Sequence, residues 1–345
     1  MAKIEYTWIV GDIHGNASSL AAVLKSIQEI GAKKIIFLGD YIDRGPDPKQ
    51  TIDLVLDLKV ETVFLLGNHE AMLLDVIKGE SHNPYAVYLW AENGCDTTLK
   101  SFNVHDAASL GKQLDKKYID FFRNLKIFHT EGFGAGKKAV NFLFCHAGPF
   151  VDFPMEEQLV LKNYDDFCGY IKEKGIKAED SCLWNEDNHL QKSMSSWGNY
   201  ILVHGHMRTQ YRLTRNRLQY DDSKKGKVDD LSDVPNPLYF PGGAAISALD
   251  IDTGVDIGGK LTAIGISAED FNYGTGKMTL KVVQADAARK SKEVHALTFH
   301  LTLPFTEEVG WYHKIMKSIF GSKKKKKAPP PKPIVHSHPI PKKHH

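Results

Sequence analysis

The chain has 345 residues, 42% of them hydrophobic and 25% charged, an ordinary globular composition with room for one large domain or two smaller ones. Its cysteines, Cys95, Cys145, Cys168 and Cys182, lack CxxC spacing and are too sparse for a disulfide framework, which fits a reducing compartment. The amino terminus MAKIEYTWIVGD has no basic segment leading into a long apolar one, and no stretch approaches ~18 uninterrupted apolar residues, so a cytoplasmic protein without a membrane span is expected.

In chain order, Tyr6 to Val10 reads as a strand running into Gly11-Asp12-Ile13-His14-Gly15. Leu20, Val23, Leu24, Ile27 and Ile30 then recur at helical spacing and stop at Gly31, a carboxyl-terminal cap. A second apolar run, Ile35 to Leu38, opens into Gly39-Asp40 and Asp43-Arg44-Gly45, followed by a helical stretch over 52–58. Val63 to Leu66 is a third strand and ends in Gly67-Asn68-His69-Glu70. Phe142 to Cys145 runs into His146-Ala147-Gly148, and Tyr200 to Val203 into His204-Gly205-His206. Alternating strands and helices predict an α/β architecture with parallel pairs.

Each of these strands ends in a glycine-containing loop that delivers Asp, Asn or His, and ligand sites of open α/β sheets form outside the carboxyl ends of strands. The polar groups should therefore converge. Asp12, Asp40 and Asn68 offer oxygen, and His14, His146 and His206 offer imidazole nitrogen, a mixture suited to Mn, Fe or Zn rather than calcium. Carboxylates packed without a cation would repel one another and shift their pKa values upward. So many ligands exceed what one catalytic ion with an open position needs, which points to two ions sharing a carboxylate. Taken singly, each residue has a plainer reading. GDIHG could be a tight turn, GNH a helix start capped by Asn68, His146 a hydrogen-bonded core histidine, and Asp43 with Arg44 a surface ion pair.

Together, GDIHG (11–15), GDYIDRG (39–45), GNHE (67–70), CHAG (145–148) and HGH (204–206) resemble the phosphoprotein phosphatase branch of the calcineurin-like metallophosphoesterases, of the bacterial and phage serine/threonine phosphatase type. WAENGCDTTLKSF (90–102) is similar to the tryptophan and glycine segment of that family, and DIDTGVDIGGKLTAIGI (250–266) to its closing strands. The resemblance spans about residues 5 to 285 and implies a four-layer α/β/β/α sandwich.

It also implies roles. A first metal would be held by Asp12, His14 and Asp40 and a second by Asp40, Asn68, His146 and His206, with two divalent ions, manganese foremost and iron or zinc as alternatives. A hydroxide bridging them would attack phosphorus directly. His69 would be the general acid, oriented and charged by Asp43, and Arg44 would grip phosphate oxygens through its planar fork. The implied activity is hydrolysis of phosphoserine or phosphothreonine, and of phosphotyrosine too, in phosphoprotein or phosphopeptide substrates. A dinucleoside tetraphosphate hydrolase of the same fold is the alternative, and an inactive metal-binding scaffold the non-enzyme one. The bacterial members carry an arginine just after the tryptophan matched by Trp184, whereas this chain has Asn185 there. Arg208 or Arg212, beyond His206, could replace that phosphate ligand; His204 occupies a position that is usually apolar.

The domain reading is a catalytic unit over 1–285 with an insertion or flap at 213–243, an extension over 286–320 with a strand at 294–305 and a short helix at 308–320, and a tail over 321–345. The tail holds eight lysines and no acid against a net charge of +2, so the remainder carries −6. Its lysines, prolines and four histidines cannot bury enough apolar surface to order it. Contact with nucleic acid or an anionic surface through the lysines is weakened by the absence of interleaved aromatics.

Overall fold

The computed structural model describes residues 4–78, 84–134, 139–150, 152–185, 199–209, 238–241, 246–287 and 294–305. Its strands are β1 (Tyr6–Val10), β2 (Ala32–Phe37), β3 (Glu61–Phe64), β4 (His129–Phe133), β5 (Val140–Phe144), β6 (Ile201–His204), β7 (Leu238–Pro241), β8 (Ile246–Asp250), β9 (Lys260–Ile266), β10 (Phe271–Asn272), β11 (Lys277–Asp286) and β12 (Ala296–Pro304). Its helices are α1 (Ala17–Ile30), α2 (Pro48–Leu56), α3 (Asn68–Ile77), α4 (Pro84–Glu92), α5 (Asp96–Ser101), α6 (Leu110–Gln113), α7 (Lys116–Arg123), α8 (Met155–Gln158) and α9 (Tyr164–Lys174). No helix among the described residues is long and apolar enough to cross a membrane.

The strands form two sheets, one ordered β10-β11-β9-β1-β2-β3 with β12 beside β11, the other β4-β5-β6-β8-β7. β1, β2 and β3 pair in parallel, as do β5, β6 and β8. Side chains on a strand alternate between faces, and here that alternation decides the layers. Ile9, Ile36 and Ile264 of the first sheet and Phe142, Phe144 and Val203 of the second enter one apolar cluster. Their chain neighbours Val10, Phe37 and Ala263, and likewise Leu143 and Leu202, belong to the other cluster, with Leu20, Val23 and Ile27 of α1. The sheets thus face each other and helices cover their outer faces, the four-layer arrangement that the resemblance implies.

Boundaries differ where polar residues open an element. β2 starts at Ala32, because Lys34 places its ammonium 3.0 Å from both Glu61 and Glu131 and so sits in a strand without an isolated charge. α2 starts at Pro48, a residue suited to a first helical turn, four positions before the apolar repeat becomes visible. α1 ends at Gly31, with φ of 133°. β12 pairs antiparallel with β11 from Lys277↔Pro304 to Ala285↔Ala296, so the strand expected at 294–305 exists and joins the first sheet. Within the 213–243 insertion, β7 pairs antiparallel with β8; the rest of that insertion, Arg212, the helix expected at 308–320 and the 321–345 tail lie outside the described residues.

Phe142 is fully buried in the layer between the sheets. Phe142→Ala is expected to lower the unfolding free energy by about 3–5 kcal/mol, read from the denaturant midpoint at unchanged m-value. A loss under ~1 kcal/mol would mean that the sheets do not depend on this ring.

Candidate active site

The parallel strands of each sheet point their carboxyl ends one way, and the loops that leave them meet. The loop after β1 carries Asp12 and His14, that after β2 Asp40, Asp43 and Arg44, and α3 begins directly with Asn68 and His69. From the second sheet, His146 follows β5 and His206 follows β6. Asn68 Oδ1 lies 2.8 Å from His146 Nε2 and 3.1 Å from His206 Nδ1, joining the two sheets. Gly67, not Asn68, is the residue that precedes the helix; the Asn68 side chain makes no cap and turns into the site instead.

This close approach strains the backbone. Of the seven non-glycine residues with positive φ among those described, five are site residues: His14, Asp40, Asp43, Arg44 and His206, at 46° to 70°. Such conformations cost energy and persist where surrounding contacts over-determine them. The buried Glu70 carboxylate supplies that hold. It accepts the N–H groups of Asp40 at 2.9 Å, Tyr41 at 2.8 Å, Ile42 at 3.3 Å and Gly67 at 3.1 Å, lacing the Asp40 loop to the start of α3. A Cβ on Gly67 would overlap Asp40 Oδ1.

Two ligand groups result, and Asp40 belongs to both. His14, Asp40 and His69 have donor atoms within 4.8 Å of one another, and so do Asp40, His146 and His206. His14 Nδ1 donates to the Ile42 carbonyl at 3.1 Å and His146 Nδ1 to that of Leu38 at 3.0 Å. A carbonyl only accepts, so in neutral rings the Nε2 lone pairs face inward. Burial pushes His14 down to about 3 and also lowers His146 and His206, which keeps the imidazoles neutral and able to ligate. Inward lone pairs, an amide oxygen and a shared carboxylate are a donor set that a divalent ion fits.

Asp12 lies outside both groups. Its oxygens, at 3.2 and 3.1 Å, accept the backbone N–H of His206. Burial first, then the carboxylates of Asp252, Asp40 and Asp250, raise its pKa well above the usual range, and burial with Asp256 pushes Asp252 up to about 7. Asp40 goes the other way: although burial opposes it, the imidazoles of His146, His69, His14 and His206 hold its carboxyl well below the usual range.

His69 Nδ1 is 2.7 Å from Asp43 Oδ2, and both side chains are fully buried. Asp43 is thus no surface ion pair with Arg44. It also receives Trp90 Nε1 at 2.7 Å and Thr98 Oγ1 at 2.5 Å, two contacts that the sequence does not announce, although both residues lie in WAENGCDTTLKSF. The other ring nitrogen, His69 Nε2, is 3.9 Å from Asp40 Oδ2 and has no hydrogen-bond partner among the described residues.

Arg44 Nη1 is 3.0 Å from His14 Nε2 and 3.1 Å from Asp256 Oδ2. Arg208 is brought to the same carboxylate, through Nε on Oδ1 at 2.9 Å and Nη2 on Oδ2. Asp256 had no role in the sequence reading. Asn185 is buried and donates to the Pro149 carbonyl at 2.8 Å, and the Trp184 ring meets that of His206 edge-on, with centroids 6.0 Å apart. His204 is buried in β6, its Nδ1 3.0 Å from the Gly205 carbonyl.

A family model described as calcineurin-like phosphoesterase matches residues 6–257. An uncharacterized protein of Methanocaldococcus jannaschii is 31% identical over 143 residues, 41% of this chain and 49% of that one, so the chain spans about half of that relative. A Nitrosospira multiformis protein named symmetrical bis(5'-nucleosyl)-tetraphosphatase is 25% identical over 287 residues, 74% of this chain and 91% of that one. The solved structure of a hypothetical protein from Pyrococcus horikoshii aligns over 93% of this chain and 95% of that one, with 13% identity and a TM-score of 0.41. With the family match extending over most of the described fold and every strand-end loop of the site, the chain belongs to the calcineurin-like phosphoesterase family.

Proposed function

We propose that this phosphoesterase works with two divalent metal ions and that its substrate is a dinucleoside tetraphosphate. The observation that carries the catalytic part is the buried His69–Asp43 pair at 2.7 Å, set beside a carboxylate common to two imidazole groups. The substrate is supported by similarity over 74% of the chain to a relative named for that activity.

A second reading, hydrolysis of phosphoserine or phosphothreonine in proteins with phosphotyrosine included, is favoured by the motif set GDYIDRG, GNHE and WAENGCDTTLKSF, the last supplying Trp90 and Thr98 to Asp43. A phosphoprotein or phosphopeptide would then be the partner.

Divalent ions, manganese foremost and iron or zinc alternatively, held by Asp12, His14, Asp40, Asn68, His146 and His206, would supply Lewis-acid polarisation of phosphoryl oxygens and activation of water. The chain's own residues do the rest. Arg44 offers its planar fork to phosphate oxygens and restricts their orientation. Asp43, itself fixed by Trp90 and Thr98, sets the ring orientation of His69 and fixes a proton on Nδ1. His69 Nε2 faces the site and delivers a proton to the departing oxygen.

The two readings differ at that last step. A serine or threonine alkoxide is a strongly basic leaving group and needs the proton; a phosphate oxygen of a nucleotide is far less basic and depends on it less. His69→Asn is expected to lower kcat on a phosphoserine peptide by about 10²–10⁴-fold and on a dinucleoside tetraphosphate by less, at unchanged metal content. Parallel initial rates of the manganese-loaded wild type and variant on both substrates check this. Faster wild-type turnover of the phosphopeptide would favour the protein phosphatase reading. An undiminished rate in the variant on both substrates would remove His69 from the chemistry.

Arg44→Lys keeps the charge and loses the fork. It is expected to raise KM for either substrate by about tenfold, and a KM equal to that of the wild type would contradict the assigned grip on phosphate.

A further inference from the structure

We infer that Asp256 fastens Arg44 and Arg208 into one two-arginine anion clamp, a phosphate subsite that stands in for the arginine absent after Trp184. The inference takes its ligand class from the hydrolase reading above and its construction from separate geometry.

Three loops meet at this carboxylate. Arg44 comes from the turn after β2, Arg208 from the loop after β6, and Asp256 from a single 3-10 turn, Val255–Ile257, between β8 and β9. Arg208 engages Asp256 bidentately through Nε and Nη2, and Arg44 adds Nη1 on the same Oδ2 at 3.1 Å. A fork on a carboxylate fixes the plane of the guanidinium as well as its position.

Burial decides what the carboxylate is for. Asp256 is 1% exposed, whereas Arg44 is 29% and Arg208 17% exposed. The acid lies beneath and the guanidinium groups lie nearer the opening, so Asp256 is an anchor and not a competitor that a substrate must displace. Its turn is closed at both ends by glycines in the left-handed region, Gly254 at 68° and Gly258 at 89°, which holds the anchor in place. Two guanidinium groups share the one Asp256 carboxylate, so that carboxylate balances only half of their charge.

The clamp also adjoins the ligand groups, since the same Arg44 Nη1 lies 3.0 Å from His14 Nε2. Asn185 cannot take this part. It is neutral, buried, and engaged with the Pro149 carbonyl. The fitting ligand is a tetrahedral phosphate group with at least two unesterified oxygens, which the remaining N–H donors of the two guanidinium groups can share.

The test is binding of inorganic phosphate to the full manganese-loaded chain by isothermal titration, for the wild type, Asp256→Asn, Arg208→Lys and the double variant. Each single change is expected to weaken phosphate by about tenfold, and the double by no more than the weaker single, because both act on one unit. Arg208→Lys changes a partly exposed side chain and keeps the test decisive where Asp256→Asn fails to fold. On a phosphate ester, both variants should raise KM more than they lower kcat.

Wild-type phosphate affinity in both single variants, or losses that multiply to about a hundredfold in the double, would overturn the clamp. A wild type that hydrolyses neither a dinucleoside tetraphosphate nor a phosphate ester, yet shows this binding pattern, would sink the hydrolase reading and leave the clamp standing. Hydrolysis with unchanged KM in the variants would do the reverse.

Discussion

Everything in this site depends on one buried carboxylate, Asp40, being reached by imidazoles from two different sheets. His14 and His69 arrive from the first sheet's loops and His146 and His206 from the second. That meeting is possible only because the sheets pack face to face through a common apolar layer while their parallel strands end on the same side. The core therefore sets the separation of ligands contributed from opposite halves of the fold. A shift of either sheet would move two of the four imidazoles relative to Asp40, and site geometry tolerates little displacement.

The local price of that convergence is paid in backbone strain. Residues that would ordinarily avoid the left-handed region occupy it at five site positions, and the Glu70 carboxylate holds part of the distortion by taking four backbone N–H groups at once. All four of these groups belong to the backbone. Glu70 fixes the Asp40 loop against the helix that starts with Asn68 and His69, so that the Asp40 carboxylate, the Asn68 amide and the His69 imidazole are held together. Trp90 and Thr98 do for Asp43 what Glu70 does for the loop.

The α/β alternation and the convergence were legible in the sequence because apolar runs ended repeatedly in glycine-flanked Asp, Asn and His, whereas the layer order came from the family resemblance. Element starts were less legible, since Lys34 and Pro48 read as polar or breaking residues until their partners and helical position are known. Asp12 shows what the geometry adds: its motif marks it as a ligand, and its carboxylate takes the His206 backbone N–H while feeling the charge of Asp40. Asp256 and Thr98 were invisible for a further reason. Their significance lies in contacts across 48 and 55 positions of chain, which no local pattern encodes.

The shared carboxylate is tested most directly by metal stoichiometry, measured by elemental mass spectrometry after loading with manganese and removal of excess, on the wild type and on Asp40→Asn. The account requires two ions per chain in the wild type and at most one in the variant, with the fold retained by circular dichroism. A wild type that holds no metal, or a variant that keeps both ions, would contradict it.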